Sequence, residues 1–207
     1  MTRQLDFYFD FMSPFSYLAY WRLGTLARQY DLDIKPIVID LAFVKKAVGN
    51  TGPRNVDIPL KIKYLREDLA RWARRYEIPL IFPASLESRR MNIGALYAAD
   101  RGQSASYLQI AWHQCWTTGA DMSDIAQLVR IARDLSWNES DLLSFLDSEG
   151  AAARYRADSQ GAVARGVFGV PTMMIEDRMW WGNDRIDFLV EYLSSESGSP
   201  PCDAGEH

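Results

Sequence analysis

Leu5-Asp6-Phe7-Tyr8-Phe9-Asp10-Phe11-Met12-Ser13-Pro14-Phe15-Ser16-Tyr17-Leu18 is the stretch on which the fold turns. Leu5, Phe7, Phe9 and Phe11 alternate with Asp6, Tyr8 and Asp10 at the period of two that a strand imposes, which predicts one strongly apolar face. Immediately after, Ser13 is a good N-cap and Pro14 is favoured at the first helical position. They open a helix in which Tyr17, Leu18, Trp21 and Leu26 recur at helical spacing. A strand therefore runs directly into a helix at Ser13.

Outward from that junction, Ile34 to Asp40 is a mostly apolar run centred on Ile37-Val38-Ile39. It reads as a buried strand parallel to the first, completing a βαβ unit. The turn-rich Gly49-Asn50-Thr51-Gly52-Pro53-Arg54-Asn55 follows as a loop, with Lys45-Lys46 before it on a solvated helix face. Leu65, Leu69, Trp72 and Tyr76 then mark an amphipathic helix ending before Pro79. Helices are expected at about Met91–Arg101 and Ala105–Thr117, then one opened by Ser123, one opened by the capping-box pattern Ser136-x-x-Glu139, and one from Ala151 to about Arg165. Strand character returns at Thr172–Ile175 and Met179–Trp181, joined by a Glu176-Asp177-Arg178 turn. A last helix, opened at Asp184, carries Phe188, Leu189, Tyr192 and Leu193. The residues from 196 to 207 read as a loose tail in which Cys202 has no function.

The balance of the chain narrows the function. Its 207 residues are 48% hydrophobic and 24% charged, with a formal charge of −4, so neither nucleic acid nor a membrane surface is an expected partner. No apolar run spans a bilayer and no signal peptide precedes the first strand, which makes the cytoplasm the expected compartment. Two cysteines, Cys115 and Cys202, form no Cys-x-x-Cys pair. His113 and His207 are the only histidines, too few and too scattered for a zinc site or a ready triad, so no metal is expected.

The order βαβ, helices, ββα is that of an α/β thioredoxin-like domain carrying an inserted all-helical domain. The expected division is residues 1–59 and 166–195 for the first and 60–165 for the second. The active group of such a fold sits where the first strand meets the first helix, here Ser13-Pro14-Phe15-Ser16. Hydroxyls cannot cycle between dithiol and disulfide, which removes disulfide exchange. The helix start can still hold an anion through its free N–H groups and the positive end of its dipole, and a thiolate brought by a ligand suits it.

The segment Asp6 to Ala19 resembles the opening of the 2-hydroxychromene-2-carboxylate isomerases, relatives of kappa-class glutathione transferases. Val167-Phe168-Gly169-Val170-Pro171-Thr172 is similar to that family's cis-proline loop, and Met179-Trp180-Trp181-Gly182-Asn183-Asp184-Arg185 to its glutathione-binding turn. The resemblance covers about residues 5–193. It implies glutathione as cofactor, a small aromatic carboxylate as substrate, and a homodimer active in aromatic hydrocarbon catabolism such as naphthalene degradation. It also implies that Ser13 holds the glutathione sulfur as a thiolate; read by itself, Ser13 is an N-cap. A cis Val170-Pro171 bond would let Val170 pair with the cysteinyl part, whereas chemistry alone favours trans. Trp181, Gly182, Asn183 and Asp184 would receive the γ-glutamyl end, with Asp184 either on the α-ammonium or a simple cap. Lys45, Asn50 and Asn55 would bind the substrate, while Val56 and Leu86 stand where family members carry Arg and Tyr. Arg89-Arg90 is a further anion candidate or a solvated pair. The alternatives are a kappa-like transferase on the same site and, from a different class, a cysteine-less thioredoxin-fold binding module.

Overall fold

The computed structural model describes residues 2–196, so the end of the expected tail, with Cys202, lies outside the described residues. Strands β1 (Arg3–Phe9), β2 (Leu32–Val38), β3 (Thr172–Ile175) and β4 (Arg178–Trp181) form one mixed sheet in the order β2-β1-β3-β4. β1 pairs parallel with β2 and antiparallel with β3, and β4 completes an antiparallel hairpin in which Ile175 pairs with Arg178. Arg178 is thus already in the strand. Glu176, with φ 54°, and Asp177 make the turn.

Helix α1 (Pro14–Tyr30) connects β1 to β2 and ends at Asp31, which adopts a left-handed φ of 50°. That stop lets β2 begin two residues before the expected Ile34. β2 also ends early, because Asp40 caps the next helix, α2 (Leu41–Ala47), accepting the Phe43 N–H at 2.9 Å. Between β2 and β3 the chain also forms α3 (Pro59–Arg75), α4 (Arg89–Ala99), α5 (Ser104–Trp112), α6 (Ile125–Asp134), α7 (Glu139–Leu146) and α8 (Glu149–Ala164). Helix α9 (Ile186–Glu196) closes the described chain.

Several helix starts differ from the sequence reading, α4 by two residues and α5 by one. α6 is capped by Asp124, not Ser123. α7 is capped by Asn138: Ser136, at φ 57°, belongs to the turn that ends α6, where Trp137 N–H reaches the Ala132 carbonyl at 2.7 Å, and Glu139 pairs with Arg133. α8 starts at Glu149, capped by Ser148. α9 opens after a 3-10 turn at Asn183–Arg185, not at Asp184. α5 ends at Trp112, and His113–Thr117 form a π-helical turn.

β1 is the second departure. Its two faces are both covered, because it lies between β2 and β3 with helices on either side. Leu5, Phe7 and Phe9 enter a core that continues into α4 to α8, while Tyr8 packs with Ile39, Val44, Ala162, Val167 and Met174. Asp6 is tolerated there because Arg165 donates to its carboxylate as well as to the Tyr8 hydroxyl and the Glu176 carbonyl. Beyond the strand, Phe11 packs at a tilt against Trp112 with ring centroids 4.4 Å apart, joining the end of β1 to α5.

Candidate active site

Ser13 caps α1: its Oγ accepts the Ser16 N–H at 3.2 Å, and its own N–H donates to the Asp10 carbonyl at 3.0 Å. It is 5% exposed, and its hydroxyl hydrogen meets no acceptor among the described residues. The cap and a free donor therefore coexist in one group, since a hydroxyl accepts and donates at once. Ser16 is fully buried and its Oγ has no partner.

The stretch before Ser13 is gripped by polar side chains from distant helices. Asp10, 2% exposed, accepts at Oδ1 from the Ser88 hydroxyl (2.6 Å), Asn92 Nδ2 (2.9 Å) and Met12 N–H (3.1 Å), and at Oδ2 from Leu41 N–H (3.1 Å). Burial pushes its carboxyl above the usual carboxylate range, and the four donors pull back against that. Phe11 N–H donates to Asn92 Oδ1 (3.1 Å), and the Phe11 carbonyl accepts from Trp116 Nε1 (2.8 Å) in the π-helical turn. Sequence reading gives Asp10, Ser88 and Asn92 no role in the site. The legible signal was a carboxylate three residues ahead of a Ser-Pro helix start in an otherwise apolar run.

The Val170–Pro171 peptide is cis. Neither the N–H nor the carbonyl of Val170 has a partner among the described residues. The Pro171 carbonyl accepts the Gly182 N–H at 2.9 Å, so the proline loop and the Gly182 turn form one unit. Gly182 has φ 105°, a conformation that favours glycine, and a Cβ there would lie 2.6 Å from Asp184 Oδ1. Asp184 does not cap α9; its carboxylate pairs with Arg185 Nη1 at 2.9 Å because Gly182 turns the chain into the 3-10 segment first. Asn183 is 3% exposed, and its side-chain amide faces the Tyr76 hydroxyl without well-formed hydrogen-bond geometry. Trp181, half exposed, packs edge to face on Phe168 at 4.8 Å.

Lys45 lies in the last turn of α2 with no ion-pair partner among the described residues, and its carbonyl accepts the Asn50 N–H at 2.9 Å. Lys45 and Asn50 are thereby neighbours. Asn55 is exposed on a 3-10 turn beside Leu60, Lys61, Tyr64 and Leu65, and no hydrogen bond joins it to Lys45 or Ser13. Arg89 lies over the Tyr155 ring and Arg90 pairs with Asp147, so both guanidiniums are engaged. Cys115 is buried, burial raises its thiol, and no metal-binding cluster occurs among the described residues.

A four-stranded mixed sheet, a helix opening at the end of its first strand and a cis-proline loop define a thioredoxin-like protein whose redox cysteines are serines. A family model described as a DSBA-like thioredoxin domain matches residues 4–194. A 2-hydroxychromene-2-carboxylate isomerase from Pseudomonas putida is 49% identical over 189 residues, covering 90% of this chain and 92% of the relative. A solved 2-hydroxychromene-2-carboxylate isomerase structure superposes with a TM-score of 0.90 at 45% identity, covering 94% of this chain and 96% of that one. More distantly, glutathione S-transferase kappa 2 of Caenorhabditis elegans is 25% identical, covering 95% of this chain and 94% of the relative. The chain belongs to the 2-hydroxychromene-2-carboxylate isomerase family within the DSBA-like thioredoxin domains. Among the described residues no helix is long and apolar enough to cross a membrane.

Proposed function

We propose that the chain is a glutathione-dependent cis–trans isomerase that interconverts 2-hydroxychromene-2-carboxylate and trans-o-hydroxybenzylidenepyruvate, or a related aromatic catabolite. The observation that carries this reading is the 49% identity, along nine-tenths of the chain, to a protein of that name. Homodimeric assembly and a cytoplasmic role in aromatic catabolism belong to the same reading, and sedimentation equilibrium checks the first.

Three features suit glutathione. Ser13 offers a hydroxyl hydrogen with no acceptor at the start of a 17-residue helix. Val170 offers an unpaired N–H and carbonyl to a peptide backbone, and the turn that would take the γ-glutamyl end holds the buried Asn183 amide, whose Nδ2 makes no well-formed hydrogen bond. When bound, glutathione supplies a thiolate nucleophile that adds to and then leaves the conjugated double bond, with no net redox change. Ser13 and the α1 N–H groups hold the sulfur in its anionic form. Lys45 binds the substrate carboxylate and stabilises the negative charge that develops on the keto oxygen, with Asn50 beside it and Asn55 as a further polar donor to the substrate.

The test is turnover with and without glutathione. Isomerisation that requires glutathione and leaves free thiol undiminished is the expected result. Stoichiometric loss of thiol would make the protein a transferase, and no binding by calorimetry together with no turnover would leave a binding module.

A further inference from the structure

Asp10 ties the loop that carries Ser13 to the helix that carries Lys45. Its Oδ1 holds the Met12 N–H, next to Ser13, while its Oδ2 holds the Leu41 N–H, the first residue of the helix that carries Lys45. Ser88 and Asn92 hold the carboxylate from the side of α4. Asn92 is held in turn, since its Nδ2 also donates to the Tyr155 hydroxyl at 2.7 Å, and Ser159 on the same α8 receives the Asp40 N–H at 2.9 Å. Every partner of Asp10 is a neutral donor, and no cation faces it among the described residues. A buried carboxylate with four donors and no counter-charge is costly to move, because each lost bond leaves a desolvated polar group.

We infer that Asp10 is a positioning residue: one carboxylate holds the Ser13 loop and helix α2 in a common register, so that the sulfur-binding hydroxyl and the Lys45 ammonium address one substrate. This rests on the roles given to Ser13 and Lys45 above. The helices between β2 and β3 thereby serve the chemistry, with α4 supplying Ser88 and Asn92 and the π-helical turn supplying Trp116 to the Phe11 carbonyl.

The Ser13→Cys protein provides a test that requires neither glutathione nor substrate, because the introduced thiol reports the alignment of the helix start directly. Its titration, followed by thiolate absorbance, is compared with that of Ser13→Cys combined with Asp10→Asn and with Ser88→Ala. Loss of positioning raises the thiol pKa, by about one unit for Asp10→Asn. Loss of the nearby negative charge alone would lower it. A fall, or no change with only a lower melting temperature, overturns the inference. Ser88→Ala keeps the charge and three of the four donors, so it serves where Asp10→Asn fails to fold. With Ser88→Ala the introduced thiol should titrate higher by a smaller amount, and a fall or an unchanged midpoint again overturns the inference. In the native Ser13 background, Ser88→Ala should raise KM for the aromatic keto acid and lower kcat together, because both elements shift. An effect confined to stability contradicts the common register. Glutathione-independence of wild-type turnover would instead defeat the functional reading, leaving the titration of the introduced thiol to be judged by itself.

Discussion

Ser13 combines a cap and a donor in one hydroxyl, and Ser13→Ala separates them. The α1 N–H groups, the Val170 backbone and the Gly182 turn remain, so glutathione should still bind by calorimetry. A hydrogen bond to an anion is worth about 1.5–3 kcal/mol and one pKa unit about 1.36 kcal/mol, so the bound thiol should titrate about 1–2 units higher. An unchanged midpoint in the ultraviolet thiolate titration would reduce Ser13 to a cap. Asp10 makes a pH prediction. Its carboxyl is raised in the folded protein, so the native state binds its proton more tightly than the unfolded chain does. The resulting stability is complete below the ordinary carboxylate range and is lost as pH rises through the raised value. The stability gap between wild type and Asp10→Asn in urea should therefore be widest in acid and narrow towards neutrality. A gap that widens with pH would show that the four donors outweigh burial.

At the scale of elements, close approach decides what each helix tolerates. α4 meets α5 at Gly94, where a Cβ would collide with the Tyr107 hydroxyl. That hydroxyl donates to the Met91 carbonyl at 2.6 Å and is fully buried, so it has little room to retreat. Gly94→Ala should cost about 1–3 kcal/mol in urea unfolding despite alanine's better helix propensity. A stabilised variant would mean that the two helices separate easily. At the Gly182 turn the constraint is backbone: with φ at 105° any side chain is strained and would crowd Asp184. Gly182→Ala should therefore weaken glutathione binding more than it lowers the melting temperature, and equal binding would detach this turn from the site.

Across the whole molecule, one aromatic cluster joins sheet and helices. Trp112 is fully buried, with ring centroids 5.7 Å from Phe9, 4.4 Å from Phe11 and about 6.0 Å from both Tyr17 and Tyr20. It therefore touches the first strand, the loop before Ser13 and the first helix from within α5. Trp112→Ala should cost about 3–5 kcal/mol, the range for emptying a large aromatic site. The continuity of the core also predicts a single cooperative transition, with tryptophan fluorescence and far-ultraviolet circular dichroism coinciding in urea. Two separated transitions would show that the sheet and the helical segment unfold independently.

The local elements were legible in the sequence because their causes are local. Alternation marked β1, Ser13-Pro14 marked the start of α1, and the apolar runs marked β2 and the β3–β4 hairpin. Serines at the helix start excluded dithiol chemistry without any coordinates. Helix starts were misplaced where two caps compete, as at Ser136 and Asn138, because which one caps depends on how the preceding helix ends. Only the tertiary structure decided the rest. It covered both faces of β1, so that Asp6 and Tyr8 are buried and are met by the guanidinium of the exposed Arg165. It engaged Arg89 and Arg90 elsewhere and brought Ser88 and Asn92 to Asp10 from some eighty residues away. A carboxylate reveals nothing in sequence about which distant donors will face it, since that depends on how helices pack around the sheet and not on any neighbour along the chain.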